Sequence, residues 1–131
     1  MPNYTAIVTL LAVLFYFYIS FAVAKARAKF GVKAPAISGQ PDFERVFRVQ
    51  MNTLEWMPIF LPSLWLFAVY VNDTAAAAIG VLWILGRALY YRGYIEAAAK
   101  RGRGFGIQAL AAGALFTGAL AGIVTRIVSG G

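Results

Sequence analysis

Residues 4–24, YTAIVTLLAVLFYFYISFAVA, run for 21 positions without a charge and stop at Lys25. About 20 apolar residues carry a helix across the hydrocarbon of a bilayer, so the pattern predicts a first span over about 4–28. Residues 30–42, FGVKAPAISGQPD, break it with two prolines and two glycines and read as a loop. A second span is expected over about 43–70, with Asp42 as its N-cap. Its uncharged part begins at Trp56, and Pro58 and Pro62 inside it predict a kink above Glu55. Val71-Asn72-Asp73 reads as a tight turn, followed by a third span over about 74–100 that becomes polar at Arg87. The fourth, about 104–128, is rich in Gly and Ala, and Gly118 and Gly122 form a GxxxG pattern suited to close helix contact.

The first segment lacks a basic start and a small-residue cleavage site, so it is expected to stay as a span and not to be removed as a leader. No internal repeat is evident. The predicted architecture is an all-α membrane protein: one domain, residues 1–131, folded as a bundle of four transmembrane helices.

Composition agrees with that class. The chain is 61% hydrophobic and 13% charged over 131 residues, against about half apolar and a quarter charged in soluble domains. It has no Cys and no His, which removes disulfides, thiolate nucleophiles of the protein's own, the usual zinc sites and every triad built on imidazole. No metal is expected. The net charge of +7 raises the question of nucleic acid, but the basic residues cluster at Lys25–Arg48 and Arg87–Arg103. That clustering fits a positive-inside pattern in a lipid bilayer, with Asn72-Asp73 on the opposite side and no nucleic-acid partner. Both termini are then expected on the non-cytoplasmic side.

The costly feature is FERVFRVQMNTLEWMP at 43–58. Arg48, Asn52 and Glu55 stand at i, i+4 and i+7, so they project from one helix face, and such charges within a membrane helix point to function. One explanation is an internal ion pair between Arg48 and Glu55, yet two turns separate them by about 10.5 Å along the axis. The other is a zwitterionic ligand bridging groups that the helix holds apart. Gln50 lies on the reverse face, where it either packs or meets another subunit. On the third helix Arg87, Tyr90, Tyr94 and Arg101 fall within one angular sector, a second polar stripe. Tyrosines and arginines at this depth also serve as headgroup anchors.

These two segments, FERVFRVQMNTLEWMP and GRALYYRGY at 86–94 followed by Arg101, with four spans of fitting length, resemble the MAPEG family. These are the membrane-associated proteins in eicosanoid and glutathione metabolism; the likeness is to its microsomal glutathione transferases and leukotriene-forming synthases, of prokaryotic type. The resemblance implies a homotrimer of four-helix bundles with glutathione bound between subunits toward the cytoplasm. Carried over, it implies glutathione recognition by Arg48, Asn52, Glu55, Tyr90 and Tyr94, with Arg87 beside them and Glu55 on the amino group. Arg101 matches the arginine facing the thiol. Gln50 and Arg27 match positions that reach the site from the neighbouring subunit. Trp56 departs from a position that is often tyrosine, and Ala28 from one that is often basic.

The function these expectations describe is a detoxifying membrane glutathione transferase acting on a hydrophobic electrophile, with Arg101 favouring the thiolate. Lipid hydroperoxide is an alternative acceptor, giving a peroxidase side activity. A non-catalytic lipid-binding or adaptor member of the same fold is the competing reading, and a small transporter ranks last because the outer halves of the spans carry almost no charge.

Overall fold

The computed structural model describes residues 1–131 as four long helices joined by short connections. The first, α1 (Asn3–Phe30), ends at Gly31, whose φ of 69° is left-handed and whose N–H bonds the Arg27 carbonyl. Glycine enters that region without a Cβ penalty, which makes it a natural stop.

The second, α2 (Pro41–Tyr70), starts two residues earlier than its apolar pattern indicates. The N-cap is Gln40 and not Asp42: its side-chain oxygen accepts from the Asp42 and Phe43 N–H groups at 2.6 and 3.3 Å. Pro41 is the reason, because its ring presets a helical φ and it lacks the N–H that the first turn would leave orphaned. Asp42 instead lies inside the first turn and pairs with Arg45. The helix runs on through Pro58 and Pro62 without interruption.

Asn72 caps α3 (Asp73–Glu96) by accepting from the Ala75 N–H at 2.8 Å. This helix stops at Glu96, short of the expected Lys100, and a 3-10 turn, Ala98–Arg101, leads into α4 (Gly102–Val128). Arg101 is therefore on the connection and not on the third helix. The alanines at 97–99 favour helix by propensity, but tertiary packing decides otherwise. The Lys100 carbonyl packs against Gly93, and Gly104 lies so close to the Tyr90 backbone that a Cβ there would collide with it. The chain reverses over these glycines, with Ala97 fully extended at φ −162°.

The interior is built by Val8 and Ala12 of α1, Phe60 and Leu64 of α2, Trp83 of α3 and Ala111 and Leu115 of α4, with the Phe60 and Trp83 rings stacked at 3.9 Å. The GxxxG glycines meet α2: Phe67 lies on Gly118, and Tyr70 and Val71 on Gly122. Leucines, valines and phenylalanines such as Leu10, Phe17, Leu110 and Phe116 stay exposed along the outside, and all four helices are long and apolar enough to cross a membrane.

The bundle has two distinct ends. At one, the Asp73 carboxylate accepts from the Tyr4 and Thr5 N–H groups at 3.1 and 2.9 Å, tying the start of α1 to the start of α3. The Arg126 guanidinium lies 5.5 Å from the centre of the Tyr70 ring at the same end. The loop 31–40 and the α3–α4 connection make up the other end, with Arg48, Tyr94 and Arg101.

Candidate binding site at the polar end of the bundle

The α2 stripe is present as its spacing predicts, and its charges are free. Arg48 and Glu55 are exposed and Asn52 is half-buried. The chain's two ion pairs are Asp42–Arg45 and Glu96–Lys100, so Arg48 and Glu55 do not pair with each other or with anything else. The internal ion pair considered from the sequence is thereby set aside. Two opposite charges two turns apart on one helix, both open on one side, can hold the two ends of a molecule that carries both signs.

Aromatic side chains build the wall beside this stripe. Tyr90 is buried and Tyr94 half-buried, with ring centres 5.4 Å apart. Phe105 of α4 stands 6.0 Å from Tyr90 and meets Trp56 of α2 edge-on at 5.7 Å. Trp56 thus contributes packing where a tyrosine would contribute a hydroxyl. Arg101 sits 5.6 Å from the Tyr94 ring centre and donates from Nη1 to the Ala98 carbonyl at 3.1 Å, leaving the rest of its guanidinium exposed. Although it has left the third helix, the 3-10 turn folds it back above Tyr94.

Arg87 sits on the other side of the wall. It has no exposed surface. Its Nη1 donates to Asn52 Oδ1 at 2.8 Å and its Nη2 to Thr53 Oγ1 at 2.6 Å, while its charge lies 4.4 Å from the Tyr90 ring centre. Arg87, expected beside a ligand, is placed behind the stripe, with both bonded arms of its guanidinium turned to α2. Of the sector expected on α3, Arg87 and Tyr90 are buried and Tyr94 is half-buried, while Arg101 has left the helix for the 3-10 turn.

Gln50 and Arg27 are not gathered to the stripe within the chain. Gln50 donates to Ser20 Oγ on α1 at 3.1 Å. Arg27 donates to the Ala36 and Val32 carbonyls at 2.7 and 3.4 Å and lies 5.0 Å from the Phe43 ring centre. Both are half-buried. Thr53 and Phe105 escaped the sequence reasoning altogether. Thr53 bonds back to the Val49 carbonyl at 2.7 Å and looks like an ordinary core threonine; nothing local marks Phe105, whose partners lie on other helices.

Two of the grooves on the bundle surface lie away from the stripe. One, about 680 Å³, runs between α1 and α3 and is lined by apolar side chains including Phe17, Phe21 and Leu85. The other, about 480 Å³, is bordered by Lys25 and Lys29. The stripe residues line neither.

The chain is similar in sequence to known proteins. The model of the MAPEG family matches residues 5–121. An uncharacterized protein of Synechocystis is 49% identical over 122 residues, covering 93% of this chain and 89% of its own. Human microsomal glutathione S-transferase 2 is 49% identical over 88 residues, 67% of this chain and 60% of that enzyme. Rat leukotriene C4 synthase is 44% identical over 96 residues, 73% of this chain and 64% of the synthase. The chain thus spans somewhat under two thirds of these two enzymes.

Proposed function

The chain belongs to the MAPEG family, and we propose that within it the protein is a membrane-bound glutathione transferase: it binds glutathione along the α2 stripe and transfers it to an apolar electrophile. The observation that carries this is the pair of exposed, unpartnered charges Arg48 and Glu55 on one face, with Arg101 above Tyr94 at the same end. Identity to two enzymes named for glutathione transfer and leukotriene C4 synthesis supports it.

In this proposal Arg48 takes a ligand carboxylate, Glu55 the amino group and Asn52 a neighbouring oxygen. Tyr94 and the edge of Tyr90 line the path toward Arg101. A thiol of pKa about 8.5 is only a few per cent ionised at neutral pH. In this role Arg101 supplies positive charge to the sulfur and does not act as a base. Lowering the thiol pKa by about two units takes about 2.7 kcal/mol of preferential thiolate stabilisation, the amount this proposal asks of the guanidinium charge beside the sulfur. The proton leaves to water. The thiolate then attacks the electrophilic carbon, a C–S bond forms, and the leaving group departs with the bonding electrons.

The electrophile enters from the lipid side, which is the physical reason for placing such chemistry in a membrane; a lipid hydroperoxide reduced by the same thiolate is a second acceptor. Gln50 and Arg27 face α1 and the loop while staying half-exposed, which supports a homotrimer in which they close a neighbour's site. The site lies toward the cytoplasm, with both termini on the other side, in keeping with the basic clusters.

Mixing purified protein with glutathione, in the wild type and in Arg101→Ala, tests the reading through the ultraviolet thiolate signal and turnover of a small aryl halide. The wild type should show both, and the variant should lose both while still binding glutathione. Tight binding with an unchanged signal and turnover in the variant would remove Arg101 from the mechanism. No binding by calorimetry would return the chain to the lipid-binding reading.

A further inference from the structure

Arg87 is the only charged side chain with no exposed surface, and no carboxylate stands within ion-pair distance of it. Burying a guanidinium without a counter-charge inside a membrane bundle is expensive. Tying α2 to α3 does not require it, since an uncharged amide or hydroxyl would make the same cross-link at lower cost. The identity of its acceptors suggests what the charge accomplishes.

Arginine is a donor only and keeps its proton. Facing it, the Asn52 amide has one acceptable orientation: Oδ1 inward, 2.8 Å from Nη1. The reverse orientation would set the Asn52 NH₂ against the guanidinium, donor against donor. Thr53 fixes the other arm of the fork. Its hydroxyl hydrogen is committed to the Val49 carbonyl, so a lone pair remains for Nη2 at 2.6 Å. The guanidinium is thus held at two points on adjacent residues of α2, and its charge also rests over Tyr90 of α3 at 4.4 Å. With the amide oxygen fixed inward, Asn52 has only N–H groups left to offer on the open side of the stripe, between Arg48 and Glu55.

We propose that Arg87 is a positioning residue that locks the Asn52 amide, so that the site presents N–H donors at this point and selects a ligand carboxylate or carbonyl oxygen there. The inference rests on the glutathione reading, in which Asn52 touches the ligand and Arg87 does not. It makes the buried charge a determinant of affinity and specificity that acts through a neighbour.

Steady-state kinetics against glutathione, the thiolate signal at saturating glutathione and thermal midpoints of the membrane-embedded protein test this. Arg87→Lys keeps the charge but not the two-point fork; KM for glutathione should rise about tenfold, with kcat and the thiolate signal near wild type. Asn52→Asp gives Arg87 a carboxylate partner, so the midpoint should hold or rise, yet KM should increase by tenfold or more because acceptor replaces donor on the open side. Trp65→Phe removes a 2.9 Å hydrogen bond to Thr9 away from the site; it should lower the midpoint without moving KM, separating general loosening from positioning. If Arg87→Lys fails to fold, Asn52→Asp decides alone. Wild-type KM in either folded variant would overturn the inference, and so would a fall in kcat and thiolate signal at constant KM. A wild-type protein that binds no glutathione would defeat the parent reading instead.

Discussion

The two ends of the bundle treat their charges differently. At the end holding the termini, the Asp73 carboxylate accepts two N–H groups of α1, and Arg126 lies over an aromatic ring. At the other end two ion pairs, Asp42–Arg45 and Glu96–Lys100, stand beside charges left free: Arg48 and Glu55 are exposed and unpaired, and Arg101 spends one N–H on a carbonyl and leaves the rest open. Charge that finds partners within the chain holds the fold together; charge left without them is available to a ligand. The contrast is sharp enough to be broken by substitution, because changes at one end should alter chemistry with little loss of stability and changes at the other should do the reverse.

The largest effect is expected from Arg101→Ala. A hundredfold drop in kcat corresponds to about 2.7 kcal/mol of lost stabilisation, and a drop near that size is expected, with the thermal midpoint almost unmoved since the side chain is exposed. A fall in midpoint comparable to that of a core substitution would blur the division between the ends.

Gly104→Ala comes next and should damage both properties. The added Cβ would meet the Tyr90 backbone, so α4 must move away from α3 and take the 3-10 turn and Arg101 with it. Overpacking of this kind costs about 1–3 kcal/mol. A lowered midpoint together with a weakened thiolate signal would show that the glycine contact sets the position of the arginine; loss of stability alone would show that the turn is held independently.

Glu55→Gln should raise KM for glutathione about tenfold, equal to about 1.4 kcal/mol, by replacing a charge with a dipole opposite the ligand's amino group. Its kcat and midpoint should stay near wild type. Glutathione lacking its amino group should bind the variant and the wild type alike, and a persistent difference would move Glu55 to another part of the ligand.

How far the sequence reveals this arrangement depends on the range of the forces involved. The four spans are legible because bilayer thickness imposes a length on apolar runs, and the Arg48, Asn52 and Glu55 face is legible because the helical period is a local property. The reverse-facing direction of Gln50 follows from the same period, and the structure finds it against α1. What escapes are features fixed by contacts far apart in sequence. The end of α3 at Glu96 is set by backbone packing of Gly93 and Gly104 against the returning chain, which overrides the helix propensity of the alanines. Angular position alone puts Arg87 with Tyr90 and Tyr94; only the approach of α2 shows that it is enclosed. Gln40 replaces Asp42 as cap because the following proline starts the helix early, a local signal that the sequence contains and that the stronger N-cap preference of aspartate obscures.

The smallest effect tests the closed end of the comparison. Asp73→Ala leaves the Tyr4 and Thr5 N–H groups without their acceptor and removes the side-chain link between α1 and α3, while the Thr5 hydroxyl can still donate to the backbone carbonyl of residue 73. These groups belong to the first turn of α1, which has no side-chain cap of its own, so its N–H donors depend on α3 for satisfaction. The midpoint should fall by a few degrees and the α1 N-terminus should exchange its amide hydrogens faster, because local opening there breaks fewer tertiary contacts. KM for glutathione, kcat and the thiolate signal should be those of the wild type, since the length of the bundle separates Asp73 from Arg48 and Arg101. A kinetic change equal to that of Glu55→Gln would mean that the capped end transmits its state along α1 or α3 to the open one, and the two ends could no longer be treated as independent parts.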